Sequence, residues 1–391
     1  LNKALLKPEI QKFIRKNLKT EISGLVLKGS PFPEVSSVEI ATQISGLKTA
    51  SRKLPTWFDT QNIYYPPKLN LEQTSSEITA KYKASLIKGK RIIDLTGGFG
   101  IDDYFFAENF KELIYCELNE ELAKIAKHNF RLLGRNNIHI VAGDGLKTLE
   151  NCDKSFDVIY ADPARRNDQG GKVFKLAECL PNIPANLDLF FNKANRIVIK
   201  TSPLLDIKAG LTELIHVSKI HIVAVNNEVK ELLWFMDKGF SGSPEIKTIN
   251  FTKNRQEEFS GDIIDKPEIS FSLPRNYLYE PNAAIMKSGL FGLLAEKTGA
   301  FKLQKNSHLF TSEKIIEFPG RKFKIIDVKD FKPSILKKEF KDEKANITTR
   351  NFPDSVAGLR KLLKIKEGGE RYLFFTTNQE NKKIVLDCRK L

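Results

Sequence analysis

Residues 71–239 predict a doubly wound, mainly parallel α/β sheet, and three observations predict it. Apolar strand-like runs alternate with amphipathic helical ones at the spacing of βαβ units, which implies right-handed crossovers. One run, Arg91-Ile-Ile-Asp94, ends in a carboxylate and passes at once into Leu-Thr-Gly97-Gly98-Phe-Gly100-Ile-Asp102. A buried strand there delivers an acid and a Cβ-poor turn to a sheet edge, where a ligand can lie against backbone. Finally, four acids (Asp94, Glu117, Asp144 and Asp162) stand at or just after the ends of successive strands.

The elements follow in order. Residues 1–70 read as a small, mostly helical module. Leu5, Leu6, Ile10, Phe13, Ile14 and Leu18 form one helical face, and a second helix is expected over Ser37 to Lys53. Trp57-Phe58 and Tyr64-Tyr65-Pro66-Pro67 read as an aromatic connector that packs on the next domain. Thr74-Ser75-Ser76-Glu77 has capping-box spacing for a further helix. Seven strands are expected: Arg91–Leu95, Glu112–Cys116, Ile138–Ala142, Phe156–Ala161, Arg196–Lys200, Ile220–Val225 and Leu232–Met236. The last two, joined by the polar link Asn226 to Lys230, read as a hairpin that adds one antiparallel strand. After Gly239 the segment Ser241-Gly242-Ser243-Pro244 is linker-like, and residues 240–391 read as an α+β module. Its expected elements are helices at Ala283–Ala295 and Ser355–Leu363 and strands at Ile315–Phe318, Lys322–Val328 and Arg371–Thr376.

Composition narrows the function classes. At 391 residues the chain is long for one core, and 41% hydrophobic with 28% charged residues describes a folded globular protein. No apolar run approaches the roughly 18 residues needed to span a bilayer, and the start shows no signal-peptide h-region. Four scattered cysteines and five histidines lack metal-ligand spacing, so neither a metal site nor a disulfide framework is expected, and a cytoplasmic location follows. Net charge is +15, distributed as +5 over residues 1–75, +1 over 76–240 and +9 over 241–391. A phosphate-bearing partner held by basic flanks and worked on by a neutral centre would produce that distribution, as would solubility alone.

The acids and glycines point to an adenosyl ligand. Glu117 follows Asp94 by the length of one βαβ unit and can accept both ribose hydroxyls. Asp144 sits where an adenine amino group needs an acceptor, and Gly98 and Gly100 let backbone approach. The helix after them offers N–H groups to an anionic end. A dinucleotide fits less well: the third glycine of its fingerprint is replaced by Asp103, and Asp94 would face a pyrophosphate. A cationic sulfonium suits Asp94, so the cofactor expected is S-adenosylmethionine. In Asp157-Val-Ile-Tyr-Ala161-Asp162-Pro163-Ala164-Arg165-Arg166, a strand ending in Asp-Pro puts an acid and a free carbonyl beside the cofactor's methyl group. That pair can accept hydrogen bonds from a planar amine and direct its lone pair at the methyl carbon.

On these motifs residues 72–238 resemble a class I, Rossmann-like S-adenosylmethionine-dependent methyltransferase, with Asp162-Pro-Ala-Arg165 in the place of the Asp-Pro-Pro-Tyr motif of amino-methylating nucleic-acid enzymes. More narrowly, Glu72-Gln-Thr-Ser-Ser-Glu77, Asp94–Asp102, Asp162–Arg166, Lys200-Thr-Ser-Pro203 and Asn227–Glu231 resemble bacterial methyltransferases of the Bacteroidetes type with a THUMP-like C-terminal domain. The resemblance implies a domain division at 1–70, 71–239 and 240–391, with a ferredoxin-like module ahead of the catalytic domain and RNA binding by the last. It assigns Asp94, Thr96, Gly98, Gly100, Asp102, Glu117 and Asp144 to the cofactor and Asp162, Pro163 and Arg165 to transfer. Arg166 and Lys200 are candidate substrate contacts; Glu228 and Lys230, in the hairpin link on the side where a substrate would enter, read equally as substrate contacts or as a polar turn, and Arg350 is a candidate phosphate contact. Where 5-methyluridine enzymes need a nucleophilic cysteine, this chain has Thr201-Ser202-Pro203, which argues against covalent C5 methylation. The acceptor expected is a base nitrogen in RNA. A protein or small-molecule acceptor, and a non-catalytic RNA-binding role, remain the alternatives.

Overall fold

The computed structural model describes residues 1–165, 175–264 and 267–391. The chain forms two compact units, residues 1–217 with 234–241 and residues 218–233 with 242–391.

The first unit opens with helices alone: α1 (Pro8–Lys16), α2 (Ile22–Leu27), α3 (Ser37–Lys53), α4 (Pro55–Asp59) and α5 (Lys68–Gln73). Ser36 and Glu39 cap α3 reciprocally, each receiving a backbone N–H of the other. No strand lies in residues 1–73, so a ferredoxin-like module is not what precedes the sheet. The connector aromatics pack inward as expected: Trp57 meets Tyr104 edge-on at 4.9 Å, and Tyr65 lies 6.4 Å from Phe99. The next helix, α6 (Glu77–Leu86), is capped by Ser76. The capping box expected from Thr74 and Glu77 does not form, because the Glu77 carboxylate is taken by the Thr56 N–H and hydroxyl, both at 2.9 Å.

The sheet strands of this unit are β1 (Gly89–Asp94), β2 (Phe110–Glu117), β3 (Ile138–Ala142), β4 (Phe156–Ala161) and, after the short pair β5 (Ala164–Arg165) and β6 (Cys179–Leu180), β7 (Ala194–Thr201). Their order is β7-β4-β1-β2-β3, and every pairing is parallel. The central strands carry unbroken buried runs (Ile92-Ile93, Val158-Ile159, Ile197-Val198-Ile199), which is what burial on both faces demands. Helices α7 (Ile101–Phe106), α8 (Glu120–Leu132) and α9 (Gly145–Glu150) follow β1, β2 and β3 in turn. All the strand ends that carry the acids therefore open on one edge.

β8 (Val217–Val225) turns through Asn226 and Asn227, both at positive φ as a tight hairpin requires, into β9 (Glu228–Asp237), residues 218–233 of this hairpin counting with the second unit. Beyond the seven expected strands come β10 (Glu245–Phe251), parallel to β8, and β11 (Gln256–Asp262), antiparallel to β10. The Gly-Ser-Pro punctuation at 242–244 leads into β10, and the second compact unit resumes at Gly242. The remaining strands are β12 (Tyr277–Pro281), β13 (Phe301–Lys302), β14 (Phe310–Ser312), β15 (Gly320–Asp330), β16 (Lys344–Arg350), β17 (Lys366–Glu367), β18 (Arg371–Thr377) and β19 (Lys383–Lys390). They make an eight-stranded sheet in the order β13-β14-β12-β15-β19-β18-β16-β17. Two expectations are corrected here. The helix read over Ala283–Ala295 is broken at Gly289, which takes φ 72, and Ile315–Phe318 is not a strand, Phe318 packing on Tyr279 instead.

Candidate functional site

At the carboxyl ends of β1, β2 and β4 lies a cavity of about 450 Å³, a volume in the range of small-molecule sites. The sheet edge places Asp94, Thr96, Gly98, Asp102, Glu117, Asp144, Asp162 and Lys200 on its wall. Among the described residues lining it, Lys200 is the one cation, against five carboxylates.

Asp94 is buried and uses Oδ1 to accept from the Thr96 N–H (2.7 Å) and hydroxyl (3.1 Å). Burial, then the nearby charges of Asp102 and Asp162, pushes its carboxyl up to about 8 against the pull of those hydrogen bonds. The Thr96 hydroxyl oxygen in turn accepts the Asp162 N–H at 2.7 Å. One threonine thus ties the end of β1 to the end of β4. Glu117 accepts the Gly98 N–H on one oxygen and the Asn119 N–H on the other, both at 2.8 Å. Gly98 takes φ 60, and a Cβ there would meet nothing nearer than the Thr96 carbonyl at 3.7 Å, so this backbone stands open to a ligand.

Three predicted residues are used differently from the expectation. Gly100 is not on the cavity wall; it starts α7 at φ 80, and a Cβ there would strike the Phe130 ring at 2.3 Å. Asp144 caps α9, its Oδ1 accepting from Leu146 N–H at 2.8 Å, so only its second oxygen is left for a ligand. Asp102, with Asp103, stands in the first turn of α7, which puts two acids next to the N–H groups expected to meet an anionic end.

Asp102 centres a buried cluster that sequence reasoning missed. Its Oδ2 accepts from Ser75 and Tyr160 hydroxyls, each at 2.9 Å, and Lys83 lies 3.2 Å from Oδ1 and 2.9 Å from the Ser75 hydroxyl. Burial alone would raise the Asp102 carboxyl, yet the charges of Lys83 and Lys200 and the two hydroxyl donors hold it below the ordinary range. Asp103 goes the other way: burial and the charges of Asp94 and Asp102 raise it far above. Lys83 sits in α6 three residues after Ala80 and four after Thr79, both buried, and that spacing was the available signal. Asn70, Gln73, Thr74 and Ser75 complete one wall from α5 and the loop after it, so the N-terminal helices are part of the site.

On the transfer side, Asp162 is half-buried and its carboxylate is ion-paired with the Lys200 ammonium. Pro163, next in the chain, is buried. Arg165 lies in β5, its backbone paired with Cys179 of β6, and Arg166 falls outside the described residues. Cys179 itself is buried, with its thiol against the Lys175 carbonyl at 3.6 Å. Glu228 and Lys230 belong to the second unit, pair with each other at 2.7 Å and do not line the cavity. Arg350 is not a free phosphate contact: it pairs at 2.7 Å with the buried Glu280. Among the described residues no His/Cys/Asp/Glu group has the makings of a metal site, and no helix is long and apolar enough to cross a membrane.

Parallel strands whose carboxyl ends carry an acid-rich cavity define an α/β methyltransferase fold, and comparison with known proteins agrees. A crystal structure of a candidate methyltransferase from Porphyromonas gingivalis W83 is 33% identical, covers 99% of this chain and 98% of its own, and superposes with a TM-score of 0.89. Residues 277–319 match the family described as a ferredoxin-like domain, and residues 320–390 the family described as THUMP domain-like. The chain belongs to the methyltransferase family with a THUMP-like C-terminal domain. Its ferredoxin-like segment therefore follows the catalytic region, which corrects the order expected from the resemblance. A protein of Clostridium tetani (strain Massachusetts / E88) named as an uncharacterised RNA methyltransferase is 35% identical over 78 residues, 20% of this chain and 17% of that protein.

Proposed function

We propose that the chain transfers a methyl group from S-adenosylmethionine to a base nitrogen of RNA in the cytoplasm. The observation that carries this reading is the acidity of the cavity wall at the ends of parallel strands, the carboxylates of Asp102, Glu117, Asp144 and Asp162 and the raised Asp94 carboxyl against one lysine. A pyrophosphate would be repelled there and a cationic sulfonium attracted. When bound, S-adenosylmethionine supplies an electrophilic methyl group on a positively charged sulfur. Asp94 would take its amino-acid end, and Glu117 keeps lone pairs for two ribose hydroxyls. Leu118, Leu122 and Leu146 offer the adenine an apolar slot, with the second oxygen of Asp144 as acceptor.

Asp162 and the Pro163 carbonyl accept hydrogen bonds from the acceptor amine and fix its lone pair in line. The nitrogen lone pair then forms the bond to the methyl carbon as the carbon–sulfur bond breaks, its electron pair staying on sulfur. The nitrogen's proton passes to water. The work is positioning and electrostatics. RNA as the acceptor is supported by the basic flanks, the THUMP domain-like match and the name of the Clostridium tetani relative. Calorimetric titration of S-adenosylmethionine tests the site: Asp94→Ala should weaken binding about 100-fold and Glu117→Ala about 10-fold, as for lost charge and hydrogen bonds. Unchanged affinity in both variants sinks the cofactor reading. Tritiated methyl transfer to RNA, DNA and protein from a deletion strain tests the substrate, and label in protein alone overturns the RNA part.

A further inference from the structure

We propose that Lys200 is a positioning residue for the transfer, holding the Asp162 carboxylate so that one oxygen alone remains to accept from the substrate. This rests on the methyltransferase reading above and deepens it. Register brings the two together: Ala161 of β4 pairs with Ile199 of β7, so Asp162, just past the end of β4, comes beside Lys200, still within β7. Lys200 is 8% exposed, and its ammonium is ion-paired with Asp162 Oδ2. The Asp162 main chain is fixed separately, by its N–H to the Thr96 hydroxyl at 2.7 Å. Main chain and side chain of the acceptor residue are thus tied to two different strands. A half-buried aspartate otherwise rotates about two side-chain bonds, and an unfixed carboxylate would not aim a lone pair at a methyl carbon.

The pairing also selects the substrate. With Oδ2 committed, the free oxygen takes a single N–H, and the neutralised pair offers no net negative charge to hold a cationic methyl acceptor. A neutral, planar amino group of the kind nucleobases carry fits; a protonated alkylamine, such as a lysine side chain or a polyamine, does not. Lys200 does not act alone, since its charge also reaches Asp102, whose carboxylate is held by Lys83 at 3.2 Å and by the Ser75 and Tyr160 hydroxyls at 2.9 Å.

The test uses the full chain as wild type, Lys200→Met and Lys200→Arg, with tritiated S-adenosylmethionine and total RNA and total protein from a deletion strain. Lys200→Met should lose about 100-fold in kcat while acceptor KM and calorimetric cofactor affinity stay within about threefold. Lys200→Arg, which keeps the cation, should recover to within about tenfold of wild type. A Lys200→Met enzyme with kcat within about threefold of wild type, or with a loss confined to KM, overturns the proposal. If the wild type labels protein alone, the RNA reading and the neutral-amine selection both fail, and the positioning role is judged on the protein acceptor. If nothing is labelled, a crystal structure of Lys200→Met decides: Asp162 in several orientations supports the role, and one unchanged orientation overturns it.

Discussion

Asp94 and Asp103 of the first unit and Glu280 and Asp387 of the second are buried acids treated in opposite ways. In the first, Asp94, Asp102 and Asp103 crowd the cavity wall and the start of α7, both oxygens of Asp103 lack a hydrogen-bond partner, and Asp94 is pushed up to about 8. In the second, Glu280 sits between Arg321 Nε at 2.6 Å and Arg350 Nη2 at 2.7 Å, and Asp387 receives Arg371 through Nε at 3.1 Å and Nη2 at 2.8 Å. A buried carboxylate with its own arginine stabilises a fold or at least does not burden it. One left short of donors is costly, and such groups gather where a ligand is to supply what is missing. The difference separates acids kept for architecture from acids kept for chemistry.

Breaking the architectural kind should have the largest effect on stability. Glu280→Ala leaves two arginines without their partner and should cost about 2–3 kcal/mol in urea unfolding, less than a fully buried pair because both arginines are about a third exposed. Cofactor affinity should not change. A cost under about 1 kcal/mol would place Glu280 with ordinary surface pairs. The chemical kind should respond in the other direction. Asp94 has a folded pKa near 8, above its ordinary 3.8, so its ionisation withdraws stability progressively as pH rises between those values. Asp94→Asn retains an oxygen for the Thr96 donors and cannot ionise. Its melting temperature should exceed the wild type's by more at pH 9 than at pH 5, while S-adenosylmethionine binding weakens, by no more than in Asp94→Ala. An equal difference at both pH values would mean that Asp94 carries no such burden. Smallest is Gly98→Ala, a residue at φ 60 with open space beside it. It should cost about 1 kcal/mol for the left-handed backbone and lower cofactor affinity about tenfold by crowding the ligand's approach. A collapse in thermal stability instead would show the glycine to be architectural.

How far the site was legible follows from which residues are fixed by local periodicity. Asp94, Glu117 and Asp162 end apolar runs, so a period-2 reading places them on one sheet edge. Lys83 and Tyr160 are different. A lysine in a helical run and a tyrosine in an apolar strand read as solvent face and core, and only tertiary contact turns both towards Asp102. The wall made by Asn70 to Ser75 was hidden for a similar reason, because a helical preamble reads as a separate module until it folds against the sheet edge. Asp144 has a second use that a local reading could have found: an acid two residues ahead of Leu146 at a helix start is also a cap. Strands β10 and β11 were masked by the Ser-Gly-Ser-Pro punctuation, which ends a domain as readily as it joins two strands.

The Thr96 hydroxyl donates to Asp94 and accepts from Asp162, so the strand end proposed to meet the cofactor and the strand end proposed to meet the methyl acceptor share one hinge pin. Ordering either end restricts the other. Whichever ligand arrives first therefore meets the entropic cost of arranging both, and the second finds its partner groups already set. On that account the two ligands favour each other's binding without any domain movement, and a threonine that touches neither reacting atom governs how strongly.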